Sequence, residues 1–294
     1  MKFGKVDRPE LIDFTLPPDH PDTHPLLIKA SNNSPLDVRV GLPKWTLPTT
    51  SLTKDELQYY SSQFNCIELN ATFYRIFPSD TYEKWYDKTP EGFKFFPKMT
   101  NEVSHLRRLN EQVYPVVDRY LEVTSLLKEK LGTIFLQMHN NFDPKNWDRV
   151  VRFVEYWPKE FPLAMEFRHT DWFNDETVAQ ELYHLLEENQ IANVLVDTAG
   201  RRDLMHMRLT NNEAFVRYVG ANHPSDYPRL QDWVNRLSTW TTQGLGNIHF
   251  FVHQNLELES PLLSAHLIKQ LNPALGSDLH IPATLNGPQK GLFD

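Results

Sequence analysis

The chain has 294 residues, a formal net charge of −8, and 40% hydrophobic and 12% aromatic content, which is enough to bury a large core and excludes disorder of the whole chain. Acidic and basic residues are interspersed, with no basic run beyond pairs such as Arg107-Arg108 and Arg201-Arg202, so nucleic acid, which needs a basic footprint, is not the expected partner. The single cysteine, Cys66, excludes an intramolecular disulfide, and no segment approaches the roughly 20 apolar residues that span a bilayer.

The opening MKFGKVDRPELIDF lacks the apolar stretch of a secretory signal, so the expectation is a cytoplasmic protein with no membrane partner. Residues 1–36 are rich in Pro, Asp, His and Ser and carry no sustained periodicity, which predicts an arm laid over the domain or partly disordered. From residue 37 to 275 the pattern becomes short β-branched or aromatic runs, each followed by helical composition. Eight runs start at Val38, Cys66, Lys94, Gly132, Leu163, Asn193, Ala214 and Ile248. Between them, Asp55-Glu56, Asp175-Glu176 and Ser260-Pro261 carry helix-start chemistry.

Strand starts recur about every 30 residues, the size of one βα unit. That alternation implies parallel strands with right-handed crossovers, and eight units predict a single (β/α)8 TIM-type barrel, with the Pro-rich arm before it and a short tail, 276–294, after it. A doubly wound open sheet is the competing architecture. Between VLVD and FVRYVG there is scarcely room for a helix, so the sixth connection is expected to be a loop or a single turn.

In such a barrel the C-terminal strand ends face the binding site. Here they carry Glu68 and Asn70, Lys98, Gln137 and His139, Glu166 and Arg168, Asp197, Arg217, and His253 with Asn255. Residues two apart on a strand share a face, so most of these present pairs to one side. The competing reading is a structural network in which the charges neutralise one another. Trp45 and Tyr74, near strand ends, are the expected pocket walls. His105, in the connection after the third strand, reads as a surface residue.

The run Glu68-Leu69-Asn70-Ala71-Thr72-Phe73-Tyr74-Arg75, with Gly41 and Trp45 before it and Thr89-Pro90, Phe93, Phe95, Lys98, Glu166, Arg168, Trp172, Asp197, Val216-Arg217 and Gly220 after it, resembles the signature of the YecE-like family, also called the domain of unknown function 72. The resemblance covers about residues 38–272. It implies a TIM-type barrel with a polar pocket at the strand ends and brings no established reaction. The chain departs from the pattern at Pro43-Lys44, where the family has a second Gly, and at Val252-His253-Gln254, where it has FNN. The N-terminal arm has no counterpart in the family core.

The first functional expectation is an enzyme acting on a small anionic or polyhydroxylated molecule. Glu68, Glu166 and Asp197 would move protons, two carboxylates in one pocket pushing their pKa values apart into an acid and a base. Substrate would be held by Asn70, Tyr74, Lys98, Gln137, His139, Arg168, Arg217, His253 and Trp45. Hydrolysis, isomerisation and lyase chemistry all stay open. No cofactor motif is present; a metal-assisted version would draw His139, His169 or His253 together with Glu166 and Asp197 around a divalent ion. The second expectation is a non-catalytic binding protein, recruited to the replication sliding clamp through a tail in which Gln289, Leu292 and Phe293 match a docking peptide.

Overall fold

Nine short strands, all paired in parallel, organise the described residues of the computed structural model, which are 4–31, 34–48 and 55–284. They are β1 (Asp37–Leu42), β2 (Cys66–Leu69), β3 (Lys94–Pro97), β4 (Ile134–Gln137), β5 (Leu163–Glu166), β6 (Ala192–Asn193), β7 (Leu195–Thr198), β8 (Glu213–Gly220) and β9 (Asn247–Gln254). Ten helices accompany them: α1 (Thr23–Ala30), α2 (Glu56–Gln63), α3 (Ala71–Tyr74), α4 (Ser79–Asp87), α5 (Tyr114–Thr124), α6 (Trp147–Tyr156), α7 (Asp171–Asn174), α8 (Glu176–Glu188), α9 (Asp226–Thr242) and α10 (Ser260–Leu275). The tail residues Gln289, Leu292 and Phe293 lie outside the described residues.

Helix starts follow the local chemistry. The Asp55 side chain accepts from the Gln58 amide, and Asp175 accepts from the amides of Thr177 and Val178, each satisfying donors that the first helical turn leaves open. α10 has proline in its first turn and stops at Gly276, which takes the left-handed conformation that a side chain disfavours.

Two sheets result. One runs β3-β2-β1-β9-β8-β7 and the other β4-β5-β6. They meet on one side through parallel bridges Phe95–Leu131 and Lys98–Phe135, where the Gly132 amide donates to Phe95 O and the Met99 amide to Phe135 O. On the other side β6 and β7 are separated by Val194 alone, whose amide still donates to Met165 O of β5. The expected sixth strand is therefore split between the sheets: β6 pairs with β5, and β7 with β8. The connection after it is a 3-10 segment, Ala199–Leu204, broken at Arg201, in line with the single turn expected there.

Apolar side chains pack in layers. Cys66, Phe96, Phe135, Ala164, Ala192, Val194, Val196, Phe215 and Phe251 form one cluster drawn from strands of both sheets. The opposite strand faces pack against the helices in two larger clusters, one with Leu195, Val216, Tyr218 and Phe250, the other with Ile134, Leu136 and Met165.

The first 36 residues include a helix, α1, that their composition did not suggest. They bind the rest of the chain polar group by polar group. Arg202 donates to Phe14 O and Thr15 O, Arg236 and Trp240 both donate to Asp19, and Thr23 Oγ1 donates to Met207 O.

Gly41 of β1 lies opposite Cys66 of β2. A Cβ there would come within 2.6 Å of Cys66 O and 2.8 Å of its Sγ, which explains a glycine in a strand that otherwise favours side chains. Gly41→Ala is expected to cost about 1–3 kcal/mol by forcing β1 and β2 apart, read as a lower midpoint in urea unfolding; an unchanged midpoint would contradict this close approach.

Candidate functional site

Strand alternation builds the site from the apolar cluster outward. Two residues beyond Cys66, Phe96, Phe135, Ala164, Phe215 and Phe251, on the same face of each strand, stand Glu68, Lys98, Gln137, Glu166, Arg217 and His253. Layered above apolar side chains, they meet in one buried network at the C-terminal strand ends.

Arg217 is its centre. Its Nε and Nη2 donate to the two oxygens of Glu68, both at 2.9 Å, and its Nη1 donates to Glu166 Oε2 at 2.7 Å. Glu68 is fully buried and Glu166 nearly so. Asn70 Nδ2 donates to Glu68 Oε1 at 2.7 Å, and His253 Nε2 lies 3.0 Å from Glu68 Oε2. Glu166 takes two further hydrogen bonds from Gln137 Nε2, each 3.0 Å, and one from Arg168 Nε. Lys98 Nζ donates to Gln137 Oε1 at 2.9 Å and sits 4.4 Å above the ring of Phe73.

These contacts set the protonation states. Burial alone would raise the carboxyl of Glu68, but the charges of Arg217 and His253 outweigh it and hold the group well below its ordinary value. Burial likewise opposes ionisation of Glu166, yet Arg168 and Arg217 bring it down to about 2. The expected split into one acid and one base therefore does not occur: a guanidinium between the two carboxylates keeps both ionised. Lys98 goes the other way. Burial, followed by the positive charge of Arg217, lowers its ammonium to about 7, against the raising influence of Glu68 and Glu166. For His253, Glu68 and Glu257 overcome the effect of burial and raise the imidazole.

Asp197 is not part of this network. Val196 of its strand, and Val194 just before it, belong to the inward cluster, so by alternation Asp197 faces outward. There it accepts from Arg229 Nη2 at 2.7 Å, from Trp233 Nε1 at 2.7 Å and from Arg202. That arrangement links β7 to α9 and stands apart from the network around Arg217. Trp45 packs edge-on against Trp85 over the outer core, with ring centroids 5.8 Å apart. Tyr74 is 74% exposed, its ring edge-on to Phe73. Asn255 has no part in the network's hydrogen bonds among the described residues.

His139 lies beyond the end of β4, its Nδ1 accepting from the Asn141 amide, and its ring stands 5.1 Å from that of His105. His105, which the sequence reading puts on the surface, is instead half-buried. It rides on a π-helical turn, Glu102–Leu106, with its ring 5.0 Å from Phe73, the same ring that faces Lys98. Burial, helped by His139 and Lys98, pushes its imidazole down to about 4. Among the described residues no three His, Cys, Asp or Glu side chains stand together as metal ligands; His253 is engaged by Glu68, and Asp197 lies on the outer face.

Two open clefts lie elsewhere. One, about 240 Å³, is lined by Val40, Phe64, Phe93 and His280, and the other, about 280 Å³, by Lys29, His184 and Arg208. Neither includes a residue of the network.

Removing the central guanidinium should expose its role. Arg217→Met is expected to cost about 3–5 kcal/mol at neutral pH, the penalty of two buried carboxylates left without their shared partner. In the wild type the contribution of Glu166 is complete above about pH 4.5 and is lost as pH falls toward about 2. The variant should gain stability over that range as its carboxyls protonate. Urea unfolding at pH 4.5 and at about pH 2.5 checks both signs.

Comparison with known proteins gives consistent matches. The family described as "Protein of unknown function DUF72" matches residues 39–285. UPF0759 protein YecE of Escherichia coli strain K12 is 26% identical over 268 residues, covering 84% of this chain and 97% of that protein. UPF0759 protein YunF of Bacillus subtilis strain 168 is 28% identical over 200 residues, covering 63% of this chain and 71% of its own. Among solved structures, a DUF72 family protein from Enterococcus faecalis V583 superposes with a TM-score of 0.65 at 19% identity, covering 83% of this chain and 99% of that one. No helix among the described residues is long and apolar enough to cross a membrane.

Proposed function

The chain belongs to the DUF72 family, and we propose that its strand-end network is the site of an enzyme acting on a small anionic or polyhydroxylated molecule. The observation that carries this reading is Lys98. Its side chain is buried, 7% of the residue being exposed, and among the described residues its one side-chain hydrogen bond goes to the neutral amide of Gln137. No carboxylate of the described residues forms an ion pair with it. The other charges of the network balance: Arg168, Arg217 and His253 stand against Glu68, Glu166 and Glu257. A buried cation without a counterion is costly, and the anion of a substrate would offset that cost.

Within this reading Glu68 and Glu166 fix geometry and field, and Lys98, titrating close to neutral pH, is the group that changes charge during turnover. Asn70, Gln137, Arg168 and His253 hold the rim. Hydrolase, isomerase and lyase reactions all fit a site of this kind. We also read the two sheets as arcs of one closed (β/α)8 ring spanning 37–275, supported by the bridges between β3 and β4 and by the strand shared through Val194.

A thermal-shift screen of small carboxylates, phosphates and sugar acids tests it. At least one compound should raise the melting temperature by several degrees, each ~1 kcal/mol of binding being worth about 2–4 °C at this size. The shift should vanish in Lys98→Met and persist in Asp197→Asn. Ligands that stabilise Lys98→Met as well as the wild type would contradict the placement.

A further inference from the structure

We propose that the Lys98 side-chain amine is a nucleophile that condenses with the carbonyl carbon of a small 2-oxo acid, forming an imine; this rests on the anion-site reading above and specifies its chemistry.

The protein contains its own control. Lys130 is as buried as Lys98, at 5% against 7% exposure. Its Nζ, however, donates to Tyr86 O at 2.7 Å, Thr89 O at 2.6 Å and Thr89 Oγ1 at 3.3 Å. Three oxygens occupy its three donors, so although burial lowers its ammonium as well, its protons are held by hydrogen bonds to the main chain and Thr89. Lys98 has one such partner. Its amine also lies 4.4 Å from the ring of Phe73 and 5.7 Å from that of Phe135, with Arg217, Glu68, Glu166 and Arg168 within electrostatic reach. An amine in an apolar pocket beside guanidinium groups is the setting in which lysine becomes nucleophilic at neutral pH. The lowering of its ammonium to about 7 agrees with that setting.

The stem is rigidly placed. Lys98 N donates to Leu69 O, and Lys98 O accepts from Thr72 Oγ1 at 2.8 Å and from Tyr120 Oη at 2.9 Å. The chain beyond it carries strain, with a π-helical turn at Glu102–Leu106 and left-handed φ values of 48° at Arg108 and 55° at Leu109. Such features concentrate at functional sites because surrounding structure must maintain them. Here they hold His105 against Phe73 and His139, directly over the lysine's aromatic wall.

The class of ligand follows from the charges. Lys98 carries the positive charge that no carboxylate of the described residues pairs, so its ammonium form attracts a carboxylate, and a carbonyl adjoining that carboxylate brings an electrophilic carbon to the amine once the proton leaves. The Nζ lone pair forms the C–N bond while the carbonyl π electrons pass to oxygen, which takes up a proton. Loss of that oxygen as water, with the remaining Nζ proton departing, leaves the C=N bond. No oxidant or reductant is required.

The test traps the imine in the full-length protein. Wild type and Lys98→Arg are incubated at pH 7.5 with pyruvate, glyoxylate or 2-oxoglutarate plus cyanoborohydride, which delivers hydride to the imine carbon, and are then mapped by peptide mass spectrometry. Lys98 should be modified at least about tenfold faster than exposed Lys84 and Lys88, with no adduct at position 98 in the variant. Adducts on exposed lysines while Lys98 of the wild type stays unmodified would overturn the proposal. Parallel melting curves with lactate, glycolate and 2-hydroxyglutarate, which keep the carboxylate and lack the carbonyl, separate the two claims. A shift without a Lys98 adduct overturns the imine and leaves the anion site standing; neither shift nor adduct overturns both.

Discussion

One guanidinium lies between two carboxylates that would otherwise repel each other. Arg217, rising from β8, spans from Glu68 of β2 to Glu166 of β5, strands that belong to different sheets. The contact therefore does two things together. It ties the sheets across the interior and keeps both acids ionised where burial would favour their neutral forms. Everything above it is arranged around those fixed charges: Asn70 and His253 around Glu68, Gln137 and Arg168 around Glu166. Among the described residues Lys98 is hydrogen-bonded to this arrangement through the amide of Gln137.

That last link explains why Lys98 differs from the other buried ions. The outward cluster around Asp197 is closed, with Arg229, Arg202 and Trp233 all donating to one carboxylate. At the opposite strand ends, His249 lies at ion-pair distance from both Glu213 and Asp37, and Thr133 donates to Glu213. In each of these sets opposite charges meet directly. Among the described residues Lys98 meets no opposite charge and, unlike Lys130 with its three oxygen partners, has a single neutral acceptor, so its ionisation depends on what else enters the site, which is the electrostatic condition of a reactive group rather than a structural one.

Much of this was legible in the sequence because the local rules are short-ranged. The strand runs, the capping aspartates at 55 and 175, the proline start of α10 and the missing sixth helix follow from composition within a few residues. Alternation likewise brought Glu68, Glu166, Arg168, Arg217, Lys98, Gln137 and His253 to one end of the strands. Asp197 failed by a single residue of parity. Its strand reads NVLVDT, apolar on both faces, so no alternation marks the inward side, and the break at Val194 between two sheets is equally silent. His105 reads as a surface residue because its packing depends on a π-helical turn that no local pattern announces. The placement of Arg217 between two acids 149 and 51 residues away is a property of topology, and with it went the expectation of an acid–base carboxylate pair.

The central claim is electrostatic: Arg217 fixes the acids in their charged state and leaves Lys98 as the group that titrates near neutrality. The most direct measurement is the titration of its 13Cε resonance in protein labelled at lysine, assigned by difference from Lys98→Arg. One lysine signal is expected with a midpoint near 7, apart from the rest. A midpoint for Lys98 close to the ordinary lysine value of about 10.4 would contradict it.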